Sequence, residues 1–224
     1  MAATLDGPRL EPRSGTARQL VVFLHGYGAD GNDLIEIGRA WQPLLPDTAF
    51  VSPHAPEPCG MSPMGKQWFP LTFRNEEERW TGVNQAAPGL DRFLDAELAR
   101  RNLPDSALAL VGFSQGTMMA LHVGLRRPNV MAGIVGYSGL LALPAEGPME
   151  DILAQVRSRP PVLLIHGDSD ELIPVQEMFQ ATQGLAAMEV PTEFHVSAGI
   201  GHGIDNEGLR HGGEFLARRF ARAR

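Results

Sequence analysis

The stretch "LALVGFSQGTMM" at 108–119 sets one serine, Ser114, between Gly112 and Gly116, where an apolar run gives way to helical composition. A serine on such a strand-to-helix elbow is forced into a sparsely populated backbone conformation that holds its hydroxyl outward. The flanking glycines remove side chains that would collide there. The following helix aims free amides and partial positive charge at the same point, which suits a developing oxyanion. Because a serine hydroxyl is a weak nucleophile at neutral pH, the chemistry also requires a base and a carboxylate to orient it.

Seven histidines could supply the base. His122 and His211 fall in helical patterns, His195 lies within a strand, His25 and His166 close strands before glycines, and His54 belongs to an irregular stretch. His202, in "SAGIGHGIDN", sits in a glycine-rich loop past the last strand, where an imidazole can reach across the sheet's edge. For the carboxylate, "LLIHGDSDELIP" offers Asp168, Asp170 and Glu171 directly after a buried strand. Spacing does not choose between the aspartates, since Asp168 could equally make a side-chain-to-backbone turn. The chain order is Ser, Asp, His in either case, which is the order of the α/β-hydrolases. A third part comes from "FLHGYGADGND", a glycine-rich loop after the first strong strand that lacks the lysine and spacing of a P-loop. The backbone amides of Tyr27 and Gln115 are the expected oxyanion donors.

The elements that must position these residues are legible as alternating patterns. Apolar runs from 19, 106, 131 and 160 read as strands buried on both faces, with weaker candidates from 48 and 192, the second nearer an edge. Over 83–101, Leu90, Phe93, Leu94 and Leu98 recur at helical spacing, and Pro88 predicts a late start or a kink. Further helices are expected after Asp33, Ser114, Pro148, Pro174 and Asp205. The alternation implies one α/β domain over 1–224, with a mostly parallel twisted sheet, helices on both faces and ligands at the carboxyl ends of the strands. The irregular segment 53–80, rich in proline, glycine and aromatics, is long enough for a lid or pocket wall. Within it Trp68, Phe69, Leu71 and Phe73 are candidate pocket residues, with Met61, Met64, Met118 and Met119 as flexible neighbours.

A net charge of −7 argues against a nucleic-acid surface, and the basic tail "FLARRFARAR" reads as a solvated helix end. The start lacks the apolar core of a signal peptide and no eighteen apolar residues run together, so a cytoplasmic protein without stable membrane insertion is expected. The single cysteine, Cys59, excludes an internal disulfide and a multi-thiolate metal site. It has no adjacent base or helix start to make it a nucleophile. No metal or organic cofactor is needed by the chemistry proposed for the serine. Hydrophobic exposure in 53–80 leaves a homodimer contact and a pocket wall as alternatives.

Together "LHGYGAD", "PHAPEPCG", "QWFPL", "GFSQG", "HGDSDELIPV" and "GIGHGID" resemble the phospholipase/carboxylesterase family, which also holds the acyl-protein thioesterases. The resemblance runs from about residue 19 to the end of the chain. It implies an α/β-hydrolase fold without a separate cap domain, acting on a small-molecule carboxylic ester. It also implies that the acid is Asp170, four before the proline of the family's pattern, with Ser114 as nucleophile, His202 as base, Asp168 as a supporting residue and the amides of Tyr27 and Gln115 as oxyanion donors. Tyr27 stands where family members often carry leucine, and the segment around "MSPMGKQWFPL" is longer than in the shortest members; both departures touch substrate fit. With no obvious lipid-binding helix, soluble esters of short to medium acyl chain are the expected substrates. Thioester or lysophospholipid cleavage on the same triad is the alternative. A catalytically dead binding module is a further one, opposed by the intact set of serine, aspartate and histidine.

Overall fold

The computed structural model describes residues 5–60, 62, 64–72 and 75–222. The apolar runs pair as neighbours because all but the edge run bury both faces. They form β2 (Gln19–Leu24), β3 (Thr48–Val51), β6 (Leu108–Phe113), β7 (Gly133–Tyr137), β8 (Val162–Gly167) and β9 (Thr192–Ser197), all parallel. A short β1 (Arg9–Leu10), not foreseen from the sequence, adds antiparallel to β3, giving the order β1-β3-β2-β6-β7-β8-β9. Strand β9 lies at the edge, and its partly exposed residues explain the weaker apolar signal there. A separate two-residue hairpin, β4 (Glu57–Pro58) with β5 (Lys66–Gln67), gives part of the 53–80 segment regular pairing.

The helices are α1 (Gly31–Trp41), α2 (Glu76–Arg101), α3 (Gln115–Gly124), α4 (Met149–Leu153), α5 (Gln176–Ala187) and α6 (Asn206–Arg222). Helix α1 starts before Asp33, because the Asp30 carboxylate accepts the Asn32 N–H and caps it. Helix α2 starts seven residues ahead of the expected 83, capped by Asn75, whose side chain accepts the Glu77 N–H. It runs through Pro88 without ending there. The proline forfeits one backbone bond, while Leu90, Leu94 and Leu98 of the same helix stay buried in the core. The irregular segment therefore ends at 75, not 80.

Two cores flank the sheet. One gathers α2, α3 and α5 side chains such as Leu94, Met119 and Leu185, and the other gathers Trp41 of α1 with Phe215 and Leu216 of α6. Arg127, just past α3, is buried and pairs with Asp91, Asp95 and Asp105, which ties the first of these layers together. Among the described residues no helix is long and apolar enough to cross a membrane.

Candidate active site

Strand β6 ends at Phe113 and α3 begins at Gln115, so Ser114 alone makes the turn, at φ 54° and ψ −116°. A left-handed φ on a residue with a Cβ is strained and persists only where the surroundings dictate it. Here they do. A Cβ on Gly116 would strike the carbonyl of Leu24 on β2, and one on Gly112 would strike the Gly116 carbonyl and Thr117. The Ser114 N–H and the Thr117 hydroxyl both donate to the Tyr137 carbonyl, at 2.9 Å each, which pins the elbow to β7. The Ser114 side chain does not cap the helix it precedes, so the hydroxyl is not spent there.

Asp170 lies in the turn after β8, with its side chain fully shielded from solvent. One carboxylate oxygen accepts the N–H groups of Leu172 and Ile173 at 2.9 Å. The other lies 2.8 Å from His202 Nδ1 and 3.3 Å from His166 Nε2. His166 Nε2 also lies 2.7 Å from the Ile173 carbonyl, so that nitrogen carries the proton and donates. The sequence leaves Asp168 and Asp170 open by spacing; the fold brings Asp170 to the imidazole. Asp168 turns to the histidine's loop instead, accepting the Gly199 N–H at 2.7 Å.

That loop is tied at several further points. Ser169 N–H donates to the Ile200 carbonyl at 3.0 Å, and the Ser138 hydroxyl donates to the Gly203 carbonyl at 3.1 Å. Asp205 accepts from the Ser197 hydroxyl and the Gly208 N–H, at 2.9 Å each. Glycine is required at 167, where a Cβ would meet the carbonyls of Ile200 and Gly201. The His202 ring rests on Phe113, with centroids 5.0 Å apart.

The loop after β2 completes the arrangement. His25 is buried; its Nε2 accepts the Ala55 N–H at 3.0 Å while Nδ1 lies 2.8 Å from the Gly26 carbonyl, and burial pushes its pKa down, so it is a neutral structural strut. The Trp68 indole N–H donates to the His25 carbonyl at 2.9 Å. Gln115, expected to act only through its amide, also uses its buried side chain: it accepts the Trp68 N–H at 2.9 Å and donates to the Phe69 carbonyl at 2.8 Å. The Gln115 amide itself sits in the first turn of α3, where helical bonding leaves it without a partner.

A cavity of about 440 Å³ opens on these groups, walled by Ser114, His202, Tyr27, Cys59, Phe113 and Leu172. Cys59 beside the Tyr27 phenol, together with burial, pushes its ionisation up to about 12. The expected pocket residues lie elsewhere. Trp68, Phe69, Leu71 and Met118 are buried in the core and do not line this cavity. Met119 is likewise buried, Met64 is exposed, and Phe73 and Met61 lie outside the described residues. The walls that sequence reasoning missed have a signal in hindsight: Phe113 and Leu172 stand within two residues of Ser114 and Asp170. Among the described residues, one cluster of three side chains able to hold a metal, His195, Glu207 and His211, lies apart on β9 and α6.

A family model described as phospholipase/carboxylesterase matches residues 5–219. Esterase YpfH of Escherichia coli is 28% identical over 194 residues, 87% of this chain and 80% of that protein. Acyl-protein thioesterase 1 of Schizosaccharomyces pombe is 31% identical over 181 residues, 78% of this chain and 78% of that protein. The crystal structure of esterase PE8 superposes with a TM-score of 0.91 at 43% identity, covering 96% of this chain and 99% of that one.

Proposed function

This chain belongs to the phospholipase/carboxylesterase family and is a carboxylic ester hydrolase, and we propose that it cleaves esters of short to medium acyl chain through an acyl-enzyme on Ser114. The observation that carries this reading is the 2.8 Å contact between Asp170 and His202 Nδ1 at the wall of a cavity that Ser114 also lines. With Nδ1 committed to the carboxylate, Nε2 is the nitrogen left to take the serine proton. The hydroxyl then attacks the ester carbonyl, and the amides of Tyr27 and Gln115 receive the oxyanion. Collapse expels the alcohol with a proton from His202, and water repeats the sequence to free the acid. Asp170 fixes the tautomer and stabilises the imidazolium; its two backbone donors hold the carboxylate in place while it does so.

The cavity's size is in the range of sites for small organic ligands. Cys59, which helps to wall it, supports the pocket-wall reading of the irregular segment expected over 53–80, and the seven-stranded sheet with a core on each face supports one catalytic domain. A serine-directed fluorophosphonate tests the assignment. Wild type should label stoichiometrically, and Ser114→Ala should neither label nor hydrolyse, losing about four to six orders of magnitude in kcat. Labelling retained in Ser114→Ala sinks it.

Thioester cleavage is the second reading, favoured by the likeness to acyl-protein thioesterase 1. A series of p-nitrophenyl esters of rising acyl length, run beside a long-chain acyl thioester, separates the two. The ester reading expects kcat/KM to peak at short or medium chains and to exceed that for the thioester.

A further inference from the structure

We propose that His195, Glu207 and His211 form a site for a divalent transition-metal ion of zinc's type, which clamps the edge strand β9 to α6. One donor atom from each lies within 4.8 Å of the other two. The imidazoles of His195 and His211 face each other with ring centroids 4.3 Å apart and no hydrogen bond between them. Glu207 and His211 stand one turn apart on α6, with Glu207 Oε1 3.6 Å from His211 Nε2. His195 Nε2 is shielded from solvent and has no hydrogen-bond partner among the described residues. A polar nitrogen so placed is unfavourable unless something satisfies it.

Two imidazole nitrogens and one carboxylate oxygen are a donor set that suits zinc and its neighbours over calcium or magnesium. Bonds of about 2.1 Å in tetrahedral geometry put donors about 3.4 Å apart, close to the Glu207–His211 separation. All three residues are at least partly exposed, so rotation of their side chains can close the remainder. Among the described residues the cation in the way is Arg210, whose guanidinium lies 3.2 Å from His211 Nε2 and 3.8 Å from Glu207 Oε1. It already bonds both oxygens of Glu214 at 3.0 Å and can stay there when a metal takes the imidazole. Asp205 adds negative charge near His195. Three protein ligands leave one position for water.

The position gives the site a consequence. The loop carrying His202 leaves β9 at Ser197 and enters α6 at Asn206. An ion bridging His195 to Glu207 and His211 joins the two elements from which that loop is hung, and so stabilises its anchorage without touching the reacting groups.

The test uses untagged full-length protein stripped with a chelator. Titration calorimetry with Zn²⁺ alone should show one ion per chain, and Co²⁺ should develop a visible absorption band. His195→Gln and His211→Gln should each weaken Zn²⁺ binding by roughly tenfold or more. At one zinc concentration, zinc should raise the melting temperature of wild type by more than that of either variant. If a histidine variant does not fold, Glu207→Gln, which keeps shape and helix, carries the comparison. Absence of zinc binding to wild type overturns the site, as does binding of equal strength in the variants. Ester hydrolysis by metal-free His195→Gln should remain near wild type, so failure of the metal site and failure of the ester-hydrolysis reading are told apart.

Discussion

The turn that carries Ser114 and the loop that carries His202 both sit at carboxyl ends of parallel strands, yet they are held by opposite means. The elbow is held chiefly by steric exclusion, beside its two bonds to the Tyr137 carbonyl: Gly112 and Gly116 pack backbone on backbone, and α3 behind them is buried along its whole length. The histidine loop is held by polar ties from three neighbouring segments, through Asp168, Ser169, Ser138 and Asp205, with partly exposed residues throughout. Steric fixation is all-or-none, since a close-packed contact has nowhere to yield. Fixation by several hydrogen bonds is graded, since each can be lost while the others remain. The nucleophile's position is thus intolerant of change, and the base's position can be tuned.

The largest expected effect comes from adding one methyl to the elbow. Gly116→Ala sets a Cβ against the Leu24 carbonyl, a backbone atom of the inner strand β2 that cannot swing away. We expect a loss of about 3 kcal/mol in urea unfolding, together with loss of esterase activity. A Gly116→Ala protein as stable as wild type would show that the elbow is not fixed sterically.

Further along α3, His122 tests how tightly the layer behind the elbow excludes water. Burial, with Arg126 beside it, pushes its pKa from 6.5 down to about 3. The folded state keeps this ring neutral while the unfolded chain protonates it near 6.5, so between those values the unfolded state binds more protons and stability falls as pH falls. The slope from this one group is at most about 1.4 kcal/mol per pH unit. His122→Leu should flatten the acid limb of melting temperature against pH, and an unchanged limb would mean that the ring is hydrated in the folded protein.

The same contrast explains what could be seen in the sequence. A steric requirement is written locally, so Gly-x-Ser-x-Gly and the helix after it announce the elbow directly. The parallel strands are legible for the same reason, because burial on both faces leaves a continuous apolar run. Polar ties are not local. Ser138, which holds Gly203, comes from a strand end 65 residues away, and nothing in "GYSGLL" marks it. The choice between Asp168 and Asp170 likewise needed the resemblance, since both have the same local chemistry. The early start of α2 was hidden because "NEEERW" presents a capping asparagine followed by three acids with no apolar period. Trp68 and Phe69 show the converse: aromatics in an irregular segment suggest a pocket, and here the Gln115 side chain ties their backbone while their rings stay buried away from the Ser114 cavity. The metal-capable trio escaped notice because one histidine sits on an edge strand and the other on a helix, with no recognisable spacing between them.

The smallest effect is the most discriminating, because it separates the two aspartates. Asp168→Ala removes the acceptor of the Gly199 N–H but leaves the Ser169–Ile200 and Ser138–Gly203 bonds in place. Asp168 is exposed, so water can replace part of what is lost, and the change should cost about 1 kcal/mol or less in stability. Loosening of the loop should appear in kcat as a drop of roughly fivefold, the rate equivalent of that energy. Asp170→Ala should instead cost about four orders of magnitude, because the imidazole then loses both its tautomer and its counter-charge. Rates measured on one ester for both variants decide the matter. Were Asp168→Ala the more damaging, the loop tie and the catalytic carboxylate would have to exchange places, and the base would be held by one strong contact instead of several weak ones.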